Sequence, residues 1–262
     1  MRSKRKKRPR KDGKRGIYVL PSLFTSASLF GGFYAVIASL KGEYEIAAIA
    51  ILISCLCDIL DGKIARFTHT ESRFGAEYDS LSDLVAFGVA PGVLAYQWAL
   101  EPFGRLGWLA SFMYVICGAL RLARFNVQKD SLKINYFKGL PIPAAASFIA
   151  ALILFTTAFG EDIEGARHIL IIIPIYILSF LMVSSIKYPS FKDFELKKQR
   201  PFNMLVGIIL ILIVIAYRPR IMLFFMMILY ILSGPALTIY QIRKRQVLTK
   251  DGLQDISPAE EN

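Results

Sequence analysis

Four aspartates stand where an ionised side chain is costly to place. Asp58 and Asp61 are three residues apart and Asp79 and Asp83 four apart, so each pair shares one face of a helix. Both pairs lie in apolar surroundings, where a charged side chain is by default a functional feature. Gly62 and Ala65 continue the first face, and Gly75 precedes Asp79 by one turn. Two antiparallel helices joined by the short polar stretch 67–75 therefore bring four carboxylates together, with small residues beside them. Carboxylates at such range repel one another, and divalent cations relieve the repulsion. An all-oxygen donor set suits Mg2+, Mn2+ or Ca2+ rather than zinc. The glycines leave room for a ligand against the backbone, and Arg66 can grip a phosphate through its planar fork. Helix capping or an internal salt bridge could account for one of these aspartates, not for four at this spacing. An ion pathway also buries acids, but it spreads them across the bilayer, and these cluster towards one face.

The elements that must hold them are membrane helices. The chain has 262 residues, 55% of them hydrophobic, a mean hydropathy of +0.47 and a formal charge of +12. That is more apolar than a soluble domain of this size, and the apolar residues fall in long runs. A disordered chain, a disulfide-stapled secreted domain and an ordinary cytosolic enzyme are excluded. Spans of about 20 residues are needed to cross a bilayer. The candidates are 19–40, 45–66, 76–99, 104–122, 142–160, 168–186, 202–217 and 221–240. The seventh is short, and only Tyr217-Arg218-Pro219-Arg220 divides it from the eighth. The expected fold is an all-α polytopic bundle of about eight transmembrane helices with both termini on one side.

The basic residues say which side. With the termini cytoplasmic, 27 of the 32 Lys and Arg face the cytoplasm, leaving Lys41, Arg105, Arg167, Arg218 and Arg220 opposite. This is the positive-inside pattern. Asp58 then lies roughly 12 Å below the cytoplasmic surface, at 1.5 Å per helical residue, a depth that a lipid phosphate reaches.

One membrane domain, 19–242, is expected between a basic arm, 1–18, and a polar tail, 243–262. The arm reads as disordered and attracted to anionic headgroups; with no aromatic interleaving it does not read as a nucleic-acid binder. It is too basic, and lacks the apolar core, to be a cleavable signal peptide. Cys55, Cys57 and Cys117 lie within apolar stretches and read as packing residues, without disulfide or zinc spacing. Trp98 and Trp108 read as interfacial anchors, and Ser233, Gly234 and Ala236 as a surface for close helix association. His69 reads as a solvated loop residue, and His168 lies on the far face.

The run Asp58-x-x-Asp61-Gly62-x-x-Ala65-Arg66-x8-Gly75-x-x-x-Asp79-x-x-x-Asp83 is similar to the full signature of the CDP-alcohol phosphatidyltransferases. Residues 79–92, 117–126, 137–146 and 182–192 further resemble the phosphatidylserine synthases within that family. One departure is that Ser22 and Ser28 stand where relatives often carry asparagine. The resemblance implies transfer of a phosphatidyl group from CDP-diacylglycerol to L-serine, releasing CMP, in the cell membrane, and the charge sorting sets the site towards the cytoplasm. It implies Asp58, Asp61 and Asp79 as metal ligands and Asp83 as shared ligand and general base. Two ions, Mg2+ or Mn2+ with Ca2+ as a further option, would occupy the site. Asp58, Gly62, Ala65, Arg66, Gly75 and Thr25 would meet CDP-diacylglycerol. Serine brings a carboxylate and an ammonium, for which Arg121, Arg124, Asn126, Lys138 and Lys187 are candidates, Arg121 foremost. Family members are typically homodimers. Another acceptor, glycerol 3-phosphate or an inositol, would use the same chemistry.

Overall fold

In lipid every backbone polar group must be satisfied within the chain, which leaves the helix as the element for apolar runs of this kind. The computed structural model describes residues 15–68, 72–129, 137–158, 167–188 and 218–254. The helices among the described residues are α1 (Arg15–Leu40), α2 (Tyr44–Thr68), α3 (Arg73–Phe103), α4 (Arg105–Lys129), α5 (Ile142–Thr157), α6 (Arg167–Val183) and α7 (Pro219–Gln254). The only other regular structure described is the antiparallel pairing of β1 (Phe137–Lys138) with β2 (Lys187–Tyr188). The all-α expectation therefore holds, with this small clamp added.

α1 lies along α2 and against the first half of α3, α2 packs on α5, α4 on α6, and α5 on α7. Small side chains make the close approaches possible. Ala47, Ala48 and Ala50 of α2 and Ala145, Ala146 and Ala150 of α5 are all buried. α5 is buried along almost its whole length and is the centre of the bundle. Large apolar residues such as Phe30, Phe33, Leu56, Phe180 and Leu229 point outwards; in a bilayer that surface is solvated by lipid.

Among the described residues four helices are long and apolar enough to cross a membrane: α1 from Pro21, α3, α4 as far as Gln128, and α7 as far as Tyr240. α5 and α6 are apolar but shorter, and α2 is long but interrupted by Asp58, Asp61 and Lys63. The expected seventh span, 202–217, lies outside the described residues, as do residues 1–14 of the arm and His69. Two helices outrun their expected ends. α4 continues past residue 122 to Lys129, and α7 continues to Gln254, well into the stretch read as a polar tail.

α3 carries the second aspartate pair and is not a regular helix. Just after Asp83 it widens into a π-helical segment, Leu84–Val89, and again at Tyr96–Leu100, before a 3-10 turn, Glu101–Phe103. π-turns inside α-helices are often found at functional sites. Gly32 of α1 sits directly on Ala86 in the first wide turn, where a Cβ would collide with the Ala86 backbone. Each of the two wide turns is backed by a tyrosine hydroxyl from a neighbouring helix. Pro91 has no N–H to return to Phe87, and the Tyr114 hydroxyl donates to the Phe87 carbonyl instead, at 3.0 Å. Ser111 donates to the Gly92 carbonyl, and Tyr44 to that of Gln97 at 3.0 Å. Trp98, read from sequence as an interfacial anchor, shares the buried face of Pro91 and Leu94 and is 6% exposed, whereas Trp108 is half exposed.

Tyr114 is fully buried, so Tyr114→Phe leaves a buried carbonyl short of a donor. The expected cost is about 1–3 kcal/mol, read as a lower thermal unfolding midpoint in detergent micelles.

Candidate active site

The four aspartates come from the C-terminal half of α2 and the first turns of α3. α3 starts where it does because Ser72, in extended conformation (φ −132°), caps it by accepting from the Gly75 N–H at 3.0 Å. This cap places Gly75 in the first turn and Asp79 and Asp83 on the next two turns of the same face.

Carboxylate oxygens of Asp58, Asp61 and Asp79 all lie within 4.8 Å of one another. The Asp83 carboxyl is in hydrogen-bond contact with Asp58. Asp61 is 5% exposed and is oriented by α1: the Thr25 hydroxyl donates to Asp61 Oδ2 at 2.8 Å. Thr25 is itself fixed, because the Ser82 hydroxyl donates to its carbonyl at 3.0 Å. A second tie between the same helices joins Ser26 and Tyr78, whose hydroxyl oxygens are 2.9 Å apart. Three helices are thus fastened around one cluster of acids.

The small residues keep one side of the cluster clear. A Cβ on Gly62 would meet nothing nearer than the Arg66 guanidinium at 3.9 Å. Arg66 is exposed and folds back on its own helix, donating through Nε to the Gly62 carbonyl at 2.8 Å. Beside it a cavity of about 720 Å3, lined by Lys63, Ile64, Arg66, Phe67 and Thr68, opens at the C-terminal end of α2. Ala65, on the same helix, is partly buried.

The proposed acceptor residues divide into three kinds. Arg121 is 9% exposed, its Nε has no partner among the described residues, and it is in electrostatic reach of Asp83. Arg124 and Asn126 face other work: Arg124 Nη1 donates to the Val183 carbonyl at 3.1 Å, and Asn126 Nδ2 to Ser80 Oγ at 2.9 Å. Those contacts fasten the end of α4 to α6 and α3. Lys138 and Lys187 are paired across β1 and β2; their side chains lie outside the described residues. The turn that admits this pairing depends on Gly139, at φ 82°, a conformation that favours glycine; its N–H donates to the Ile186 carbonyl at 2.8 Å. His168 is set against the Ala99 carbonyl at 2.6 Å, far from the acids in the chain's layout, as read from sequence.

Sequence reasoning passed over several residues here. Ser80 and Ser82 sit inside the aspartate motif, and a serine in an apolar span was the available signal. Ser28, already noted as a departure from relatives, has a buried hydroxyl with no partner among the described residues. Tyr230 of α7 lies in electrostatic reach of Arg121, and nothing in its neighbourhood of Met, Phe and Leu marks it out.

The donor set fits divalent metal. Three carboxylates within one coordination diameter, with a fourth in contact, give hard oxygen ligands and negative charge in a partly buried place. Groups that orient metal ligands typically change affinity by 10–100-fold when lost. Thr25→Val, which keeps the side-chain volume and removes the hydroxyl, should accordingly raise the Mn2+ concentration for half-maximal activity by about tenfold. Metal titration of activity in detergent reads this directly.

Comparison with known proteins gives the same picture from outside. Residues 18–183 match the CDP-alcohol phosphatidyltransferase family. A CDP-diacylglycerol–serine O-phosphatidyltransferase of Helicobacter pylori is 37% identical over 218 residues, 83% of this chain and 90% of the relative. The enzyme of that name from Bacillus subtilis is 36% identical over 173 residues, 66% of this chain and 91% of the relative. An archaetidylserine synthase of Methanothermobacter thermautotrophicus is 38% identical over 172 residues, 65% of this chain and 69% of the relative.

Proposed function

The chain belongs to the CDP-alcohol phosphatidyltransferases, and we propose that it transfers the phosphatidyl group of CDP-diacylglycerol to L-serine, giving phosphatidylserine and CMP. The observation that carries this reading is the meeting of Asp58, Asp61, Asp79 and Asp83 in one cluster in a chain whose relatives bear serine-transferase names. The archaetidylserine synthase differs from the others in the lipid part of its name and keeps serine, which favours serine over glycerol 3-phosphate or inositol.

Asp58, Asp61 and Asp79 would hold divalent cations, Mg2+ or Mn2+ and two per site, with Asp83 shared. When bound, the ions supply neutralisation of the pyrophosphate and of charge developing on the leaving group. The chain's own residues do the rest. The open face of Gly62, Ala65 and Gly75, with Arg66 and Thr25, receives the cytidine diphosphate. Arg121 receives the serine carboxylate as a buried cation that an anion completes, while Arg124, Asn126, Lys138 and Lys187 frame that end of the site. Asp83 accepts the serine hydroxyl proton, for which a base must come within hydrogen-bond reach. The serine oxygen then bonds to the lipid-linked phosphorus as the bond from phosphorus to CMP breaks, and CMP departs with the electron pair.

The apolar helices place this in the membrane. We assign the site to the cytoplasmic face of the cell membrane, with eight spans, both termini inside, anionic headgroups at the arm and a homodimeric assembly. The sorting of 27 of 32 basic residues supports the orientation.

The test supplies purified protein with CDP-diacylglycerol, Mn2+ and, one at a time, L-serine, glycerol 3-phosphate and inositol. The reading expects CMP release stimulated by serine alone. Stimulation by another alcohol and not by serine would replace the acceptor and keep the family chemistry.

A further inference from the structure

Buried serines elsewhere in the bundle return their hydroxyls to the carbonyl one turn back, as Ser39, Ser54 and Ser179 do at 2.7, 2.9 and 2.7 Å. Ser28 of α1 does not. It is 1% exposed, and its Oγ has no partner among the described residues. Buried polar atoms are nearly always hydrogen-bonded, so an orphan calls for a group that completes it.

The place of Ser28 says which group. The antiparallel register of α1 and α2 is fixed on either side of it. The Thr25 hydroxyl donates to Asp61 at 2.8 Å, and Gly31 sits against Ser54, where a Cβ would collide with the hydroxyl. Ser54, Asp58 and Asp61 follow at helical spacings of four and three, and so share one face of α2. Thr25 and Ser28 are likewise three apart on α1. Antiparallel helices therefore match the two pairs, Thr25 to Asp61 and Ser28 to Asp58. The contacts with α3 agree: Thr25 meets Ser82 and Gly32 meets Ala86, which puts Ser28 level with Asp83. The orphan hydroxyl thus stands at the inner end of the acid cluster, where the Asp58 carboxyl is engaged with Asp83.

We infer that Ser28 is a positioning residue for the metal site: its hydroxyl serves Asp58, directly or through a water, as Thr25 serves Asp61, when a divalent cation is held among the acids. A cation shared by Asp58 and Asp83 replaces their mutual contact and frees a carboxylate oxygen for the hydroxyl. α1 then supplies one donor to each acid of α2 and tunes affinity for the ion at the inner end. The inference rests on the metal reading given above.

Mn2+ binding to the full-length protein in detergent micelles, without substrates, tests it. Loss of the free-ion paramagnetic resonance signal gives the dissociation constant, and a thermal melt gives stability. Ser28→Ala breaks no hydrogen bond and removes an unsatisfied buried oxygen, so the metal-free midpoint should be held or raised. The Mn2+ dissociation constant should rise about tenfold, as for groups that orient metal ligands. Combined with Thr25→Val, the two effects should multiply to about 100-fold, because the hydroxyls serve different acids. A dissociation constant unchanged by Ser28→Ala overturns the proposal. If the metal-free midpoint also falls, Ser28 is a packing residue or the seat of a buried water. If Ser28→Ala adds nothing to Thr25→Val, the hydroxyl acts through Asp61, and the pairing with Asp58 is overturned. If the wild type binds no Mn2+, the metal reading itself falls, and this inference with it.

Discussion

Asp83→Asn is expected to reduce serine-dependent CMP release by at least about 10^3-fold. General-base assistance alone contributes about 10^2–10^4-fold, and on the proposed assignment the substitution removes a shared metal ligand as well. The asparagine has nearly the same shape, so α3 and its cap at Ser72 are undisturbed. Asp83 stands in contact with Asp58 and opposite Arg121, and loss of one carboxylate relieves repulsion within the cluster. The unfolding midpoint in the absence of metal should therefore be held or raised while activity collapses. That opposed pair of changes is the signature of a group retained for chemistry. A fall in both together would mark Asp83 as part of the scaffold. The measurement is CMP release with serine at saturation, alongside a thermal melt of the same preparation.

Metal removal should have an equally large effect. With EDTA the protein is expected to lose serine-dependent activity, and Mg2+ or Mn2+ should restore it where Zn2+ does not, since the cluster offers hard oxygens and no His or Cys among its members. Binding is separable from turnover. A ligand at 100 times its Kd stabilises the folded state by about 2.7 kcal/mol, so Mn2+ should raise the melting midpoint of the wild type in the absence of substrate. Asp58→Asn, which takes one oxygen ligand from the centre of the cluster, should shift the Mn2+ dependence of activity and of melting together, by at least about 100-fold, beyond the range for groups that only orient ligands. Separate shifts would mean that the stabilising site and the functional site are different.

The clustering of the aspartates was legible in the sequence because carboxylates in apolar runs have few other uses, and because helical periodicity makes spacings of three and four into shared faces. The geometry adds what spacing cannot carry. Thr25 is 36 residues from Asp61 in the chain and in hydrogen-bond contact with it; no periodicity relates the two. Helix ends were misjudged for a different reason. Arg121-Leu122-Ala123-Arg124 and the stretch around Arg243, Lys244 and Arg245 are good helix formers, so α4 and α7 run past the apolar residues that define a span. Trp98 shows a third limit. Its reading as an anchor rested on its place near the end of a span, but it lies four residues from Leu94 and seven from Pro91, both buried, and shares their face. Arg121 was picked out as a cation near the site, and its nearness to Asp83 depends on how α3 and α4 meet. Tertiary contact decides such residues, and a linear reading has no access to it.

The central claim is that these aspartates join a lipid phosphate to serine. Its most direct measurement is the stoichiometry of products from CDP-diacylglycerol, L-serine and Mn2+: CMP and the lipid product, quantified together by mass spectrometry. Phosphatidylserine and CMP should appear one for one, and both should vanish in Asp83→Asn. CMP accompanied by phosphatidic acid in place of phosphatidylserine, or no CMP at all from folded, metal-bound protein, would contradict it.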